Sequence, residues 1–439
     1  MSKPIINFFK GHPSRELLPT KAIASTFQKI LLESDYLEYD TDPSNQHPLQ
    51  YGTDPGNLDI RKILSNWLDT KYGKTGGYID PNCINLTAGA SYGVANILAS
   101  VTDSCRITKL AFIVTPTYYL INGSFLDLGF DESNMVAIKE TPEQEYDLDI
   151  EELERRLELE SKDLESADDG REINIIEDPV RGDRKLYRFV MYLVPTFSNP
   201  GGITYSLKTR HKLIELARRY DMLIISDDVY DFLDYKEQNH PPIATFSQLD
   251  KDSLPSYKTY GNTISNATFS KILAPGLRVG WQHTPTSKLV SQLAITGANK
   301  SGGTPAQLST FVVGEMIKSG KADEIIEDFK RVYKKRARVV IESIGKYLPK
   351  STKVYGGDGG YFFWIILPEI EDHSLIVKEL QRDHNVILAG GENFEVAGDS
   401  QDWGKCCVRL SISFLSEEEI EEGIKIWGSV IRKHYGDLY

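Results

Sequence analysis

The sequence predicts an α/β protein: a mostly parallel sheet covered by helices on both faces, with a smaller α+β part towards the C-terminus. Strand-like and helix-like segments alternate through the middle of the chain. The strand-like segments are continuously apolar rather than alternating, as strands buried on both faces must be. Beyond residue 305 the pattern changes to long helices mixed with strands, as in a separate α+β unit. The chain has 439 residues, 40% hydrophobic and 26% charged, which is enough for a large core and a second, smaller domain.

In chain order, 91–102 (SYGVANILASVT) predicts a helix and 109–114 (KLAFIV) a buried strand. Residues 151–187 are strongly charged and predict a solvated helix and surface excursion with no catalytic role. A strand follows at 188–194 (RFVMYLV), then an amphipathic helix at 206–220. Ser206 is the candidate N-cap of that helix, with Leu213, Ile214, Leu216 and Ala217 on one face. MLIIS at 222–226 is again a short apolar strand, and 236–260 predicts a long loop that covers or borders a site. Helix over 323–347 and strand over 360–366 (GYFFWII) belong to the C-terminal part.

Lys and Arg number 50 against 63 Asp and Glu, a net charge of −13. That balance argues against a nucleic-acid or anionic-membrane partner, both of which reward clustered cations, and leaves room for one local anion site. The opening MSKPIINFFKGHPSRELLP has no apolar stretch fit for a signal peptide. No run approaches the roughly 18 to 20 apolar residues of a membrane helix. Cys83, Cys105, Cys406 and Cys407 form no zinc-type spacing, and sequence neighbours rarely pair. They are expected to be small buried apolar side chains in a reduced, cytoplasmic protein without a metal.

In parallel sheets ligands gather beyond the carboxyl ends of the strands, and the unusual residues fall there. NATFSKILAPGLRVGW (266–281) places Thr268, Ser270 and Lys271 before a Pro-Gly turn, with Arg278 seven residues after the lysine. A lysine amine forms Schiff bases with carbonyl compounds, and hydroxyls with a guanidinium hold phosphate. The same pair in isolation also describes a surface lysine. IISDDVYDFL (224–233) ends a strand at Asp227 and Asp228, with Tyr230 nearby. Such a carboxylate pairs with a protonated ring nitrogen or caps a turn. Asn199, in VPTFSNPGG, sits in a turn signal and is a candidate donor to a ring oxygen from the side opposite Tyr230. LTAGASYG (86–93) starts a helix with Gly89, Ala90 and Ser91, small enough for backbone N–H groups to approach a phosphate. TPTYYLI (115–121) offers Tyr118 or Tyr119 for stacking or for the core. Arg409, inside the apolar CVRLSISF (407–414), needs an anion or a buried acid.

These six segments, in this order, resemble the class I/II aminotransferases of pyridoxal 5′-phosphate (PLP) fold type I. The resemblance runs from about residue 5 to the C-terminus. It is nearest to the branch of 2-aminoadipate and kynurenine aminotransferases, in INFFKGHPSRELLP, LQYGTDPGNLDIRKILSNWL, SNPGG, SDDVYDFL, TFSKILAPGLRVGW, GGYFFWI and VRLSISF. It implies a seven-stranded, mostly parallel sheet in a large PLP-binding domain at 46–320. Residues 1–45 and 321–439 would form the small domain, with an N-terminal segment over the active site.

By this resemblance Lys271 is the Schiff-base lysine, Asp227 the ring-nitrogen partner, and Tyr230 and Asn199 donors to the ring oxygen. Tyr118 stacks on the ring; Ala90, Ser91, Thr268, Ser270 and Arg278 surround the phosphate; Arg409 holds the substrate α-carboxylate. Tyr51 matches a tyrosine reaching the neighbouring subunit's cofactor, which implies a homodimer with shared active sites. Two departures stand out: the stretch from Tyr230 to Lys271 is long, and the phosphate loop reads Gly-Ala-Ser-Tyr where Gly-Ser-Gln is familiar. The implied activity is ping-pong transamination between an L-amino acid and 2-oxoglutarate. 2-Aminoadipate is the first candidate donor, with Arg15 set to pair with its distal carboxylate, and aromatic amino acids or kynurenine are the rivals. A PLP-dependent carbon–sulfur lyase uses the same scaffold, and a ligand-sensing regulator is a remoter reading.

Overall fold

Apolar runs with both faces out of water make up the central sheet. The computed structural model describes residues 4–33, 42–162, 172–236 and 240–438. Its strands, in chain order, begin with β1 (Ile6–Asn7), β2 (Ile84–Thr87), β3 (Leu110–Thr115), β4 (Met135–Lys139), β5 (Ile175–Ile176) and β6 (Arg184–Lys185). Next come β7 (Phe189–Leu193), β8 (Met222–Asp227), β9 (Thr263–Thr268) and β10 (Gly280–His283). The C-terminal part holds β11 (Lys353–Gly356), β12 (Phe362–Ile366), β13 (Val386–Ile387), β14 (Ala389–Gly390) and β15 (Cys407–Ser411).

The seven-stranded sheet has the order β2-β10-β9-β8-β7-β3-β4. Only β10 runs against its neighbours; the β4–β3–β7–β8–β9 pairings are all parallel. Every residue of β7 and β8 is buried, so the two strands read as unbroken apolar sequence up to their polar ends. Helix Leu207–Tyr220 starts where Ser206 accepts the Thr209 N–H, and it buries Leu213, Ile214, Leu216 and Ala217. Each of the larger three contributes roughly 1.5–3 kcal/mol by leaving water. The helix ends at Asp221, in the left-handed region at φ 55°.

A second, antiparallel sheet has the order β11-β12-β15-β14. Helices Lys321–Tyr347 and Glu417–His434 pack along each other beside it, the latter opened by a Ser416–Glu419 capping box. The parallel β1–β13 pair ties the first residues of the chain to this C-terminal part.

Three expectations need correction. The 236–260 segment is not all loop: Phe246–Ser253 is a helix with a Thr245–Gln248 capping box. The Thr-x-x-Gln signal and the buried pair Phe246 and Leu249 outweigh the surrounding prolines and polar residues. Part of that segment, 237–239, lies outside the described residues, as does 163–171 of the charged excursion. The excursion itself is not solvated throughout. Ile150–Ser161 is the expected helix, but Lys185 is buried and ion-paired to Asp221 at 2.5 Å, and Tyr187 is fully buried. Finally, Cys105 is exposed and Cys406 half-buried; only Cys83 and Cys407 are buried.

Candidate functional site

The carboxyl ends of β2, β3, β7, β8 and β9 meet around a cavity of about 330 Å3. Every predicted site residue except Arg409, Tyr51 and Arg15 lines it. Asp227 is the last residue of β8, in register with Asn266 of β9. Its carboxylate accepts from Tyr192 Oη at 2.8 Å and from Asn266 Nδ2 at 2.9 Å. Burial pushes this carboxyl up to about 6, while the two hydrogen bonds and Lys271 oppose the rise. A buried acid so held is stabilised as a carboxylate by a cationic nitrogen beside it.

Lys271 follows β9 by three residues. Its Nζ donates to the Gly11 carbonyl at 2.9 Å and lies 5.4 Å from the Tyr361 ring, whose hydroxyl donates to the Lys271 carbonyl. Burial first, then the neighbouring Arg409 cation, lowers the amine to about 8; Asp227 works in the opposite direction. The neutral form, which is the nucleophile and the base, is therefore accessible near neutrality.

At one end of the cavity the groups suit a phosphate. Helix Ala90–Val101 begins after Gly89, at φ +98°, with no side chain capping its first N–H groups. Arg278, itself left-handed at φ 53°, reaches Ser270 Oγ at 3.3 Å and the Ala88 carbonyl at 3.0 Å. A Cβ on Gly89 would stand 2.8 Å from that guanidinium, so glycine is required there on two counts. Tyr92 hydrogen-bonds Asn299 at 2.5 Å and does not line the cavity, so the unfamiliar Gly-Ala-Ser-Tyr loop offers backbone and Ser91 rather than a long side chain.

Arg409 lies just beyond the cavity wall. It is 3% exposed, donates to Asn199 Oδ1 at 3.0 Å and to the Phe9 carbonyl at 2.6 Å, and is ringed by Phe362, Phe394 and Phe9. Burial lowers the guanidinium to about 10. Among the described residues it has no carboxylate partner, and its Nε has no hydrogen-bond partner. A buried cation in this position calls for an anion. Tyr230 is fully enclosed between Tyr361 and Phe362, and burial raises its hydroxyl well above the usual range. Tyr118 is part-buried and close enough to hydrogen-bond Ser91.

Tyr51 and Arg15 are not brought to the cavity. Tyr51 is 79% exposed, and Arg15 is exposed at the start of a short 3-10 turn, Arg15–Leu17. Sequence reasoning missed Tyr192, Asn266, the Phe9 and Gly11 carbonyls, and the aromatic ring around Arg409. Tyr192 was hidden in an apolar strand that gave no polar signal. Asn266 had one: β9 reads TISNAT, too polar for a strand buried throughout.

The sequence pattern described as "Aminotransferase class I and II" matches residues 48–426. The chain belongs to this family. Its cofactor is pyridoxal 5′-phosphate, and the buried Asp227, the Lys271 amine and the Gly89–Arg278 cradle fit that group's nitrogen, carbonyl and phosphate. The chain is 45% identical over 440 residues to an uncharacterised protein of Saccharomyces cerevisiae, covering 98% of this chain and 97% of that one. It is 23% identical over 430 residues to a 2-aminoadipate transaminase of Thermus thermophilus, with 98% and 90% covered. The crystal structure of a Pyrococcus horikoshii kynurenine aminotransferase superposes with a TM-score of 0.76 at 25% identity, covering 99% of this chain and 92% of that one. No described helix is long and apolar enough to cross a membrane.

Proposed function

We propose that this aminotransferase moves an amino group between an L-amino acid with a large apolar or aromatic side chain and 2-oxoglutarate, by a ping-pong mechanism. One observation carries the reading: Arg409, buried without a carboxylate partner, stands beside Asn199 at the edge of a cavity that holds Lys271 and Asp227. When bound, the cofactor supplies a carbonyl to join the amino group and a ring to take up the electron pair left at Cα.

In this reading Arg409 holds the α-carboxylate, with its guanidinium oriented by Asn199 and the Phe9 carbonyl. The neutral amine of Lys271 would take the Cα proton and hand it to the cofactor's carbonyl carbon, across the nitrogen that joins the two. Asp227, fixed by Tyr192 and Asn266, keeps a negative charge opposite the ring nitrogen. Tyr230 and Asn199 donate to the ring oxygen, and Tyr118 stacks on the ring. Ala90 and Ser91, with Thr268, Ser270 and Arg278, hold the phosphate. The aromatic donor is supported by the apolar lining, in which Leu120, Ile121 and Val194 lie and the only described cations are Lys271 and Arg278. The kynurenine aminotransferase neighbour supports it too.

A second reading, 2-aminoadipate as donor, rests on Arg15. It lies four residues past Gly11, whose carbonyl accepts from Lys271, so it is an exposed cation on the segment that borders the amine. The Thermus relative supports it. We further propose a cytoplasmic homodimer, with 46–320 as cofactor domain and 1–45 plus 321–439 as the smaller domain. Exposed Leu49 and Tyr51, together with Leu120 on the cavity, support a second copy covering this face and Tyr51 reaching its cofactor.

The test is a panel of amino donors with 2-oxoglutarate, run on the wild type, Lys271→Ala and Arg15→Ala, with products identified. Lys271→Ala should lose turnover with every donor; undiminished turnover would remove Lys271 from its role. Arg15→Ala should weaken 2-aminoadipate selectively if that is the donor and leave aromatic donors untouched. Recovery of ammonia and a thiol instead of an amino acid would replace transfer by carbon–sulfur elimination.

A further inference from the structure

On the far side of the segment that carries Asn199 lies a second cavity, of about 370 Å3. Asn199 lines the first cavity and Gly201 the second, so the Asn199–Gly201 turn is their common wall. The second cavity opens between the carboxyl end of β4 and the four-stranded sheet. Its lining is aromatic: Trp364 and Trp403 meet edge to face with ring centroids 5.7 Å apart, and Tyr355 is a third ring.

Two hydrogen-bond donors in this lining have no acceptor among the described residues. Trp403 Nε1 is buried without a partner, which is costly for an N–H shielded from water. Lys139, exposed at the end of β4, lines the cavity and makes no ion pair among the described residues. Two acidic groups line the cavity, and each is already engaged. Glu143 is engaged by Lys353 at 3.3 Å and by the Tyr355 hydroxyl at 2.7 Å. Glu140 is buried, accepts from Tyr205 Oη at 2.7 Å, and is raised by that burial to about 7.

An aromatic lining with an ammonium suits a planar ring carrying a carboxylate: the ring stacks on the tryptophans or meets them edge-on, and the carboxylate pairs with Lys139. We propose that this second cavity binds a small planar aromatic carboxylate, separately from the catalytic cavity. The bound ligand faces the catalytic wall through Glu140, whose carboxylate lies so close to Gly201 that a Cβ there would stand 2.0 Å from it.

Cysteine chemistry locates the ligand. Cys406, half-buried, lines this cavity and not the catalytic one, while exposed Cys105 lies in neither. The holoenzyme is treated with iodoacetamide with and without indole-3-acetate, and alkylation of each cysteine is followed by peptide mass spectrometry. With the probe at about five times its dissociation constant, Cys406 should react about six-fold more slowly, because only the unliganded fraction is accessible. Cys105 should be unaffected. Lys139→Glu and Trp403→Ala should abolish the protection and leave transamination without the probe unchanged. In parallel, equilibrium dialysis of labelled indole-3-acetate under saturating amino donor should give one equivalent bound per chain. No binding in dialysis, or equal Cys406 reactivity with and without a bound probe, would overturn the proposal. So would protection that survives in both variants, because the ligand would then sit elsewhere.

Discussion

Replacing Glu140 by glutamine should stabilise the fold at alkaline pH and leave it nearly unchanged at acid pH. The Glu140 carboxyl is buried, accepts from the Tyr205 hydroxyl, and is raised from 4.5 to about 7 by desolvation. A carboxyl raised in the folded state is favoured there as the neutral acid. Its contribution is fully present below about pH 4.5, is lost progressively as pH rises towards 7, and stays lost above that. The shift of about 2.5 units corresponds to roughly 3 kcal/mol at 1.36 kcal/mol per unit, of which about 2.5 kcal/mol falls between pH 5 and pH 8. Glutamine keeps the shape and the oxygen that accepts from Tyr205, and it cannot ionise. Urea unfolding of the two proteins at about pH 5 and pH 8 would measure the difference. The variant's advantage should grow by about 2.5 kcal/mol across that range. Parallel stability curves for the two proteins would refute the reasoning, because they would mean that Glu140 titrates alike in the folded and unfolded chains.

Two further outcomes concern the catalytic cavity. Arg409→Lys should lower kcat/KM for amino acids by about 100-fold or more, because a point charge cannot reproduce the planar fork held by Asn199 and Phe9. The slow reaction of the corresponding amine, which lacks the carboxylate, should be unchanged; equal losses for both would remove Arg409 from carboxylate binding. Capture of pyridoxal 5′-phosphate by the apoenzyme should quicken as pH rises through about 8 and level off about one unit above it, since the Lys271 amine, lowered by burial and by Arg409, is then mostly neutral. A rate that continues to climb towards pH 10 would show an ordinary lysine instead.

The site was largely legible in sequence because its residues stand where buried strands stop. Asp227, Asn199 and Tyr118 each follow an apolar run closely, and a polar residue at such an end has few purely structural uses. The sheet was legible for the same reason, since β7 and β8 are buried at every residue and read as unbroken hydrophobic sequence. What stayed hidden depends on contacts across long stretches of chain. Asp227 is held by Tyr192, 35 residues away, and by Asn266, 39 residues away. No local pattern announces either bond. The helix Phe246–Ser253 was missed because composition spoke for a loop while a capping box, worth about 1 kcal/mol, spoke for a helix. Lys185 shows the opposite error: a charged neighbourhood suggested solvent, yet its pairing with Asp221 permits full burial.

The segment that follows β1 has a stake in the proposed reaction. Phe9 and Gly11 lend their carbonyls to Arg409 and to Lys271, the two cations on which the proposed chemistry turns. While the amine is unoccupied, it is one of the fastenings of the chain's opening segment; once it is engaged elsewhere, that fastening is released and the hold through Arg409 remains. With Lys271 in its proposed role, cofactor loading loosens the seating of residues 4–12 by one hydrogen bond. Cleavage of that segment by a protease would then report on the lysine, and an extension that strains the segment would be felt at its amine.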